Sequence, residues 1–346
     1  MKILITGSQG YVGSAFVEHA RKALKGFLID GIDLGLFQNL NHYVTESNDI
    51  YLNSIQFKDL REIQVKDLSG YNAIIHLAAI SNDPIGEKFS KITNEINFQT
   101  TVELAKKAKT AEINKFIFAS SASVYGFSEN ICFENSPTNP LSAYAKSKLV
   151  SEIELEKLSD KKFQVTALRF ATAAGWSPRL RSDIALNDFV IQAVIKKEIK
   201  LNSLGESYRP FVSVKDMAKA IEFSLSGGRD ILNAFEVFNV GSNEWNFKII
   251  ELAKIVTKNI ANSKITIDRD STNDTRSYKL NFDKYNSSAG EYKVTEKIKD
   301  TILELEKNIT RILKVGDKQF FDHIVRLQSI ERLVRDYIFD EDLKIL

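Results

Sequence analysis

Tyr144 and Lys148 lie four residues apart in the segment YAKSK, which follows Asn139-Pro140 and reads as the start of a helix. Residues with this spacing lie on one side of a helix, so the phenol and the ammonium would face the same space. A free tyrosine has a pKa of about 10, too high for a base at neutral pH, but a nearby positive charge stabilises the phenolate. The pair could therefore move a proton beside a hydride transfer. An ordinary solvated helix face is the alternative.

Three glycines near the N-terminus, in TGSQGYVG, have the spacing of a phosphate-binding turn. Gly7, Gly10 and Gly13 lie between an apolar run and an amphipathic stretch, where they would allow a tight turn, close approach of phosphates and close packing of helix on strand. The N-terminal end of the helix would add free N–H groups and a partial positive charge. We predict a site for the pyrophosphate of a dinucleotide, with a simple glycine turn as the alternative.

Asp33 ends the second apolar run, about 20 residues after the glycines. A carboxylate there can accept hydrogen bonds from the adenosine ribose hydroxyls and repel a 2′-phosphate. No Arg or Lys follows in DLGLFQN to bind such a phosphate. The sequence therefore favours NAD over NADP as the cofactor, with a solvated acid at a strand end as the alternative.

Short apolar runs alternate with longer amphipathic stretches through the first half of the chain. Strands are predicted at Ile3–Ile5, Phe27–Ile32, Ala73–His76, Lys115–Ala119 and Gln164–Leu168, and helices at Val12–Leu24, Glu87–Lys109 and Ser142–Leu158. Because the runs are apolar throughout, these strands should be covered on both faces. The pattern predicts an α/β fold: a Rossmann-like, doubly wound parallel sheet with a smaller α/β C-terminal substrate domain.

The chain is expected to divide into three parts. Residues 1–172 would bind NAD and carry the catalytic groups, residues 173–294 would bind substrate and return some segments to the main sheet, and residues 295–346 would form a helical extension. Further helices are predicted at Asp183–Lys197, Val214–Leu225 and Lys248–Asn259. In the extension, helical spacing of Ile302, Leu305, Ile309 and Ile312 predicts packing on the substrate domain or on a partner subunit.

Composition excludes several classes of function. With 47 Lys and Arg against 45 Asp and Glu, the net charge of +2 gives no overall attraction to nucleic acid or to a membrane surface. A single cysteine, Cys132, excludes an internal disulfide, and the histidines have no metal-ligand spacing, so no metal is expected (His19, His42, His76, His323). The N-terminal apolar run reads as a strand rather than a signal peptide, and no run approaches the roughly 18 to 20 residues of a membrane helix. We expect a soluble, cytoplasmic protein.

The Gly-x-x-Gly-x-x-Gly spacing resembles the short-chain dehydrogenase/reductase superfamily, whose extended branch includes nucleotide-sugar epimerases and dehydratases. HLAA (His76 to Ala79) resembles the family's fourth-strand segment beside the adenine and pyrophosphate. At the third strand, relatives often have Asp-Ile, and Ser54-Ile55 is assigned to that position here. The resemblance implies that these residues contact the cofactor: Gly7, Gln9, Gly10, Tyr11, Val12, Gly13, Asp33, Ser54, Ile55, Leu77, Ala78, Ala79, Asn97, Ala119, Tyr144 and Lys148.

The segment FIFASSASVYG (Phe116 to Gly126) resembles the epimerase pattern SSS-x-x-VYG. Alignment on its VYG implies that Ser121 completes a catalytic set with Tyr144 and Lys148, and that Ser123 contacts substrate. Nucleotide-sugar 4,6-dehydratases carry Thr-Asp-Glu where this chain has Ser121-Ala122-Ser123. The missing acid pair disfavours loss of water from the sugar.

The second half resembles the substrate-binding blocks of the same family in LRFATAAG, SPRLRSDIALNDFV, YRPFVSVKDMAKAI and DTRSY. It departs from them at Thr172, Ala174 and Ser213. Arginine suits phosphate because its planar fork makes paired, charge-assisted bonds. The resemblance implies a nucleotide-diphosphate sugar as the partner molecule, contacted by Ser123, Thr172, Arg179, Arg181, Asn187, Arg209 and Arg276.

These expectations define an NAD-dependent enzyme that carries out redox chemistry at C4 of a nucleotide sugar. C4 epimerisation through a transient 4-keto sugar is the preferred reaction, and a homodimer is the expected assembly. A 4-ketoreductase or 4-dehydrogenase would use the same residues. A non-catalytic dinucleotide-binding regulator is the alternative from another class, although such proteins commonly lose the Tyr/Lys pair.

Overall fold

Fourteen β-strands lie within the residues that the computed structural model describes, which are 1–37, 52–81, 83–226, 233–268, 276–315 and 324–345. The strands are β1 (Lys2–Thr6), β2 (Leu28–Asp33), β3 (Ser54–Phe57), β4 (Ala73–His76), β5 (Lys115–Ser121), β6 (Phe127–Cys132), β7 (Gln164–Phe170), β8 (Thr172–Ala174), β9 (Glu198–Leu201), β10 (Tyr208–Ser213), β11 (Phe235–Val240), β12 (Asn246–Lys248), β13 (Lys264–Ile267) and β14 (Ser277–Leu280).

The α-helices in the same ranges alternate with the strands along the chain. They are α1 (Tyr11–Ala23), α2 (Asp83–Lys88), α3 (Ser90–Asn94), α4 (Thr100–Thr110), α5 (Ala143–Leu158), α6 (Ala185–Ile195), α7 (Val214–Ser226), α8 (Ile249–Asn259), α9 (Asp283–Ser288), α10 (Ile298–Val315) and α11 (Arg326–Arg335).

One sheet of seven parallel strands, in the order β11-β7-β5-β4-β1-β2-β3, forms the centre of the fold. Ile3 and Ile5 of β1 pack on one face with residues of α1 and α7, whereas Leu4 packs on the other face with residues of α4 and α5. Helices thus cover both faces, which explains why the strands are apolar throughout. The structure confirms the predicted α/β fold with its doubly wound parallel sheet. Strand β11 reaches this sheet from the second half of the chain.

The predicted helix Glu87–Lys109 is wrong as a single element. The structure has α2, α3, a π-helical turn at Glu95–Gln99 and then α4. The π turn carries the buried Asn97, whose amide group accepts from Ile80 N at 2.8 Å and donates to Ile80 O at 2.9 Å. This pairing fixes the segment after β4. Hydrophobic periodicity does not reveal such a turn, and π turns are frequent at functional sites.

A second apolar core lies in the C-terminal half, between α6, α8 and α10. The four helically spaced residues of the extension, Ile302, Leu305, Ile309 and Ile312, are all buried in it. Helix α10 therefore packs on α6 and α8 in the C-terminal half of the chain. Helix α11 lies elsewhere, against the segments around β4 and α2, where Ile330 packs with Ile80 and Ile85.

Two further findings concern membranes and metals. Among the residues with described coordinates, none of the helices is long and apolar enough to cross a bilayer. The same residues contain no group of three or more His, Cys, Asp or Glu side chains arranged to hold a metal ion. His42 and His323 lie outside the described residues.

Candidate active site

A cavity of about 580 Å³ opens at the carboxyl ends of the central strands. Open parallel sheets bind ligands at this edge, and the volume is typical of a small-molecule site. Most of the predicted site residues line it: Gly7, Gly10, Tyr11, Val12, Gly13, Asp33, Leu77, Ala78, Ala79, Ala119, Ser121, Ser123, Tyr144, Lys148, Thr172, Arg181, Arg209 and Arg276.

The glycine-rich turn between β1 and α1 leaves no room for side chains. Gly7 has a φ of +76°, and a Cβ atom on it would lie 2.6 Å from the backbone nitrogen of Ala78. A Cβ atom on Gly13 would lie 2.1 Å from the carbonyl oxygen of Gly7. The backbone therefore forms a tight cradle at the N-terminal end of α1, where N–H groups and the helix dipole favour phosphate. This cradle fits the pyrophosphate of NAD.

Asp33 is held at the end of β2 by backbone donors. Its carboxylate accepts from Gln9 N at 2.9 Å and from Gly35 N at 2.8 Å. Burial raises the pKa of Asp33, while these hydrogen bonds and the charges of Arg179 and Arg326 lower it. Although no cation follows Asp33 closely in sequence, the fold brings these two arginines near it. Gln9 does not line the cavity, but it positions Asp33 through its backbone.

The assignment of Ser54-Ile55 to the cofactor site is corrected by the structure. Neither residue lines the cavity, and the Ser54 hydroxyl donates to Asp30 at 2.7 Å instead. Strand β3 ends at Phe57, so the residues at the sheet edge are those that follow it, including Asp59 and Leu60. Ser54 and Ile55 do lie on the third strand as predicted, but the residues that line the cavity, Asp59 and Leu60, follow the end of that strand.

The three predicted catalytic residues meet at one part of the cavity. Ser121 ends β5, and Tyr144 and Lys148 lie on the first turns of α5, whose N-cap Ser142 accepts from Ala145 N at 3.1 Å. Lys148 is 3% exposed and donates through Nζ to Ala119 O at 2.7 Å. Ser121 and Tyr144 both line this cavity, and the Ser121 hydroxyl acts to lower the pKa of the Tyr144 phenol. Proton transfer between a ligand and this set is geometrically possible.

The electrostatics of this set differ from the sequence-based expectation. Burial raises the pKa of Tyr144, and the groups that oppose this are the Ser121 hydrogen bond and the charge of Arg181, rather than Lys148. Burial lowers the pKa of Lys148 to about 7, opposed by the charge of Glu152. Lys148 can therefore gain or lose a proton near neutral pH.

Ser123 supports this set from the turn after β5. Its hydroxyl donates to the Ser121 Oγ at 2.9 Å, and its backbone nitrogen donates to the same oxygen at 3.2 Å. Ser123 therefore fixes the position of the Ser121 hydroxyl.

Arg209 and Arg276 lie together in the cavity. Arg209 donates to Tyr208 O at 2.8 Å and also contacts the backbone carbonyl of Arg276. The Arg276 guanidinium forms an ion pair with Asp83, which also accepts from the Ser142 hydroxyl. Asp83 was not found from the sequence. It directly follows the segment after β4, and its contact with Arg276 spans 193 residues.

Arg181 also lines the cavity but is held by a carboxylate. It makes a bidentate pair with Asp183, at 2.9 Å from Nε and 2.8 Å from Nη2, and donates to Ser81 Oγ at 3.0 Å. Thr172 lines the cavity at the start of β8, which pairs with β10.

Three other predicted residues lie behind the cavity wall: Asn97, Arg179 and Asn187. Asn187 accepts from Gly175 N at 2.9 Å and donates to Arg181 O at 3.0 Å, while Tyr11 donates to Gly175 O at 2.6 Å. These bonds tie the segment from Gly175 to Arg181 to α1. Asn187 therefore shapes the site from behind rather than facing it.

Comparisons with known proteins agree with this geometry. The model of the NAD dependent epimerase/dehydratase family matches residues 3–241. A UDP-glucose 4-epimerase of Lactobacillus helveticus is 28% identical over 281 residues, covering 74% of this chain and 82% of that protein. A dTDP-glucose 4,6-dehydratase of Streptomyces niveus is 27% identical over 276 residues, covering 75% of this chain and 77% of that protein.

Among solved structures, a UDP-glucuronic acid 4-epimerase from Bacillus cereus, in complex with UDP-glucuronic acid and NAD, has a similar fold. The TM-score is 0.75 at 22% identity, over 90% of this chain and all (100%) of that chain. The family match confirms the resemblance to extended short-chain dehydrogenases/reductases. The chain belongs to the NAD dependent epimerase/dehydratase family, and its cofactor is NAD.

Proposed function

We propose that the protein interconverts the C4 epimers of a nucleotide-diphosphate sugar through a transient 4-keto sugar. The observation that carries this proposal is the meeting of Ser121, Tyr144 and Lys148 in one cavity. That cavity runs from the glycine cradle to Arg209 and Arg276. These three residues, which could transfer a proton, thus lie between a site suited to NAD and two arginines suited to a diphosphate.

In the proposed reaction, Tyr144 takes the proton of the C4 hydroxyl while Ser121 hydrogen-bonds to the same oxygen. When bound, NAD supplies the acceptor and later the donor of the C4 hydride, and the positive charge of its oxidised ring favours the Tyr144 phenolate. Arg209 and Arg276 would hold the diphosphate while the keto sugar turns in the cavity. Tyr144 then returns the proton to the oxygen of the inverted alcohol.

The family also contains dehydratases, so loss of water is the reaction to weigh against epimerisation. Elimination needs an acid beside the sugar that is free to protonate the leaving hydroxyl. Ala122 and Ser123 occupy the positions where 4,6-dehydratases carry acids. Two carboxylates that line the cavity are engaged, Asp83 with Arg276 and Ser142, and Asp183 with Arg181. This arrangement supports redox chemistry without elimination.

The test is incubation of the purified protein with GDP-, UDP-, dTDP- and CDP-sugars without an added reductant. We expect one of them to be inverted at C4, with the amount of oxidised cofactor unchanged at the end. A product that has lost water would overturn the proposal. Stoichiometric reduction of the cofactor would show that the protein is a 4-dehydrogenase rather than a 4-epimerase. We also propose that the protein is a homodimer in the cytoplasm. Sedimentation velocity measures the number of chains in the assembly.

A further inference from the structure

Arg326 brings a charge from the C-terminal extension into the cavity. It is the first residue of α11 and lies far beyond residues 3–241, which the family model matches. It lines the cavity and is 3% exposed. Its position therefore makes the extension part of the cavity wall.

The Arg326 guanidinium is held in place but not fully hydrogen-bonded. Nη2 donates to Arg179 O at 3.0 Å, and the guanidinium carbon lies 3.9 Å from the centroid of the Phe37 ring, a cation–π distance. Nη1 is buried and has no hydrogen-bond partner in the part of the chain that the structure describes. A buried guanidinium N–H without an acceptor is costly, so its retention indicates that a ligand supplies the acceptor.

The surrounding charges favour an anion. The charges that act on Arg326 are the positive charges of Arg179 and Arg181 and the negative charges of Asp33 and Asp183. Together with Arg326, these described residues carry three positive charges and two negative ones. Burial and the two neighbouring arginines lower the pKa of Arg326 to about 9. A bound anion would stabilise all three guanidinium groups.

Helix α11 is fixed over this end of the cavity by apolar packing. Ile330 and Leu343 are buried together with Ile80, Ile85 and Ile92, which belong to the segments after β4. Lys88 of α2 forms an ion pair with Glu331 of α11. The packing of the extension thus places Arg326 against the cavity.

Arg326 lies on the cofactor side of the cavity. Its partner Arg179 also donates to the side chain of Gln9, within the glycine-rich turn, and Asp33 is among the charges that act on Arg326. We infer that Arg326 binds the pyrophosphate of NAD, so that the C-terminal extension helps to retain the cofactor. This inference rests on the proposed use of the cavity, but its test requires no sugar turnover.

The test compares the wild type with Arg326→Met in two measurements: the NAD retained per chain after purification, and the dissociation constants of NAD, ADP-ribose, adenosine and UDP. We expect NAD and ADP-ribose to bind roughly 10- to 100-fold more weakly, as for loss of one charge-assisted hydrogen bond. Adenosine, which lacks the pyrophosphate, and UDP should bind as before. An unchanged circular dichroism spectrum shows that the variant is folded.

Arg335→Met is the matched control, because it removes the same charge from the same helix at a side chain that is 72% exposed. Arg326→Lys keeps the charge but loses the fork, and we expect an intermediate loss of NAD affinity. NAD affinity within twofold of the wild type in Arg326→Met would overturn the inference, as would a loss confined to UDP. Failure of the proposed epimerisation would look different: NAD binding would depend on Arg326 while no sugar is inverted.

Discussion

The Nζ atom of Lys148 lies 5.8 Å from the centroid of the Tyr144 ring and 2.7 Å from the carbonyl oxygen of Ala119. Ala119 belongs to β5, which ends two residues later at Ser121. The lysine therefore links the helix that carries the phenol to the strand that carries the serine. Rigid elements fix all three groups, as precise proton transfer requires.

Tyr144→Phe should abolish most turnover while NAD binding remains. The variant removes the phenol oxygen, which is the proposed base, but keeps the aromatic ring. Loss of a general acid–base group lowers the rate by roughly 10²- to 10⁴-fold. Steady-state kinetics with the sugar selected by the panel measure this. Tyr337→Phe, at an 83% exposed side chain, is the control and should keep full activity. Unchanged turnover in Tyr144→Phe would show that Tyr144 is not the catalytic base.

Lys148 should make stability depend on pH above neutrality. Burial lowers its pKa to about 7 in the folded protein, against 10.5 for a lysine in water. Between these values the unfolded chain binds a proton that the folded chain does not, so the free energy of unfolding rises with pH. Urea unfolding at pH 7 and pH 9 should show a larger rise for the wild type than for Lys148→Met. Lys146→Met, exposed on the same helix, should behave like the wild type. Equal rises in wild type and Lys148→Met would contradict the lowered pKa.

His76 should make the fold sensitive to acid. Its ring is buried between the hydroxyls of Thr6 and Thr101, and burial lowers its pKa from 6.5 to about 3. As the pH falls from 6.5 toward 3, the unfolded chain takes up a proton that the folded chain refuses, so stability is lost. Unfolding free energies at pH 7 and pH 4.5 should differ more for the wild type than for His76→Asn. An equal difference in the free energy of unfolding in both proteins would exclude His76 as the source of the acid sensitivity.

Asp33→Ser should shift cofactor preference toward NADP. The variant removes the carboxylate that repels a 2′-phosphate, while the charges of Arg179 and Arg326 remain near that position. We expect the affinity ratio of NADP to NAD to rise roughly tenfold or more, the effect of about 1.4 kcal/mol. Titration of both dinucleotides measures it. A ratio that stays at the wild-type value would contradict the predicted role of Asp33.

Local spacing made the glycine turn, Asp33 and the Tyr144–Lys148 pair predictable, because each depends on residues close together in sequence. The exact ends of strands, and contacts between residues far apart in sequence, could not be predicted from local spacing. Ser54 and Ile55 lie on the third strand as predicted, but Asp59 and Leu60, which line the cavity beyond the end of that strand, were missed. The Arg326–Arg179 contact spans 147 residues, and only the fold brings them together. Asn187 lay in a matching segment, yet its side chain supports the loop from behind.

The most direct test of the proposed reaction uses the selected nucleotide sugar labelled with deuterium at C4, in ordinary water. Transfer of a hydride to the cofactor and back predicts a product inverted at C4 that still carries deuterium on that carbon, with no net reduction of NAD. An inverted product that has lost the C4 deuterium to solvent, or a product that has lost water, would contradict the proposal.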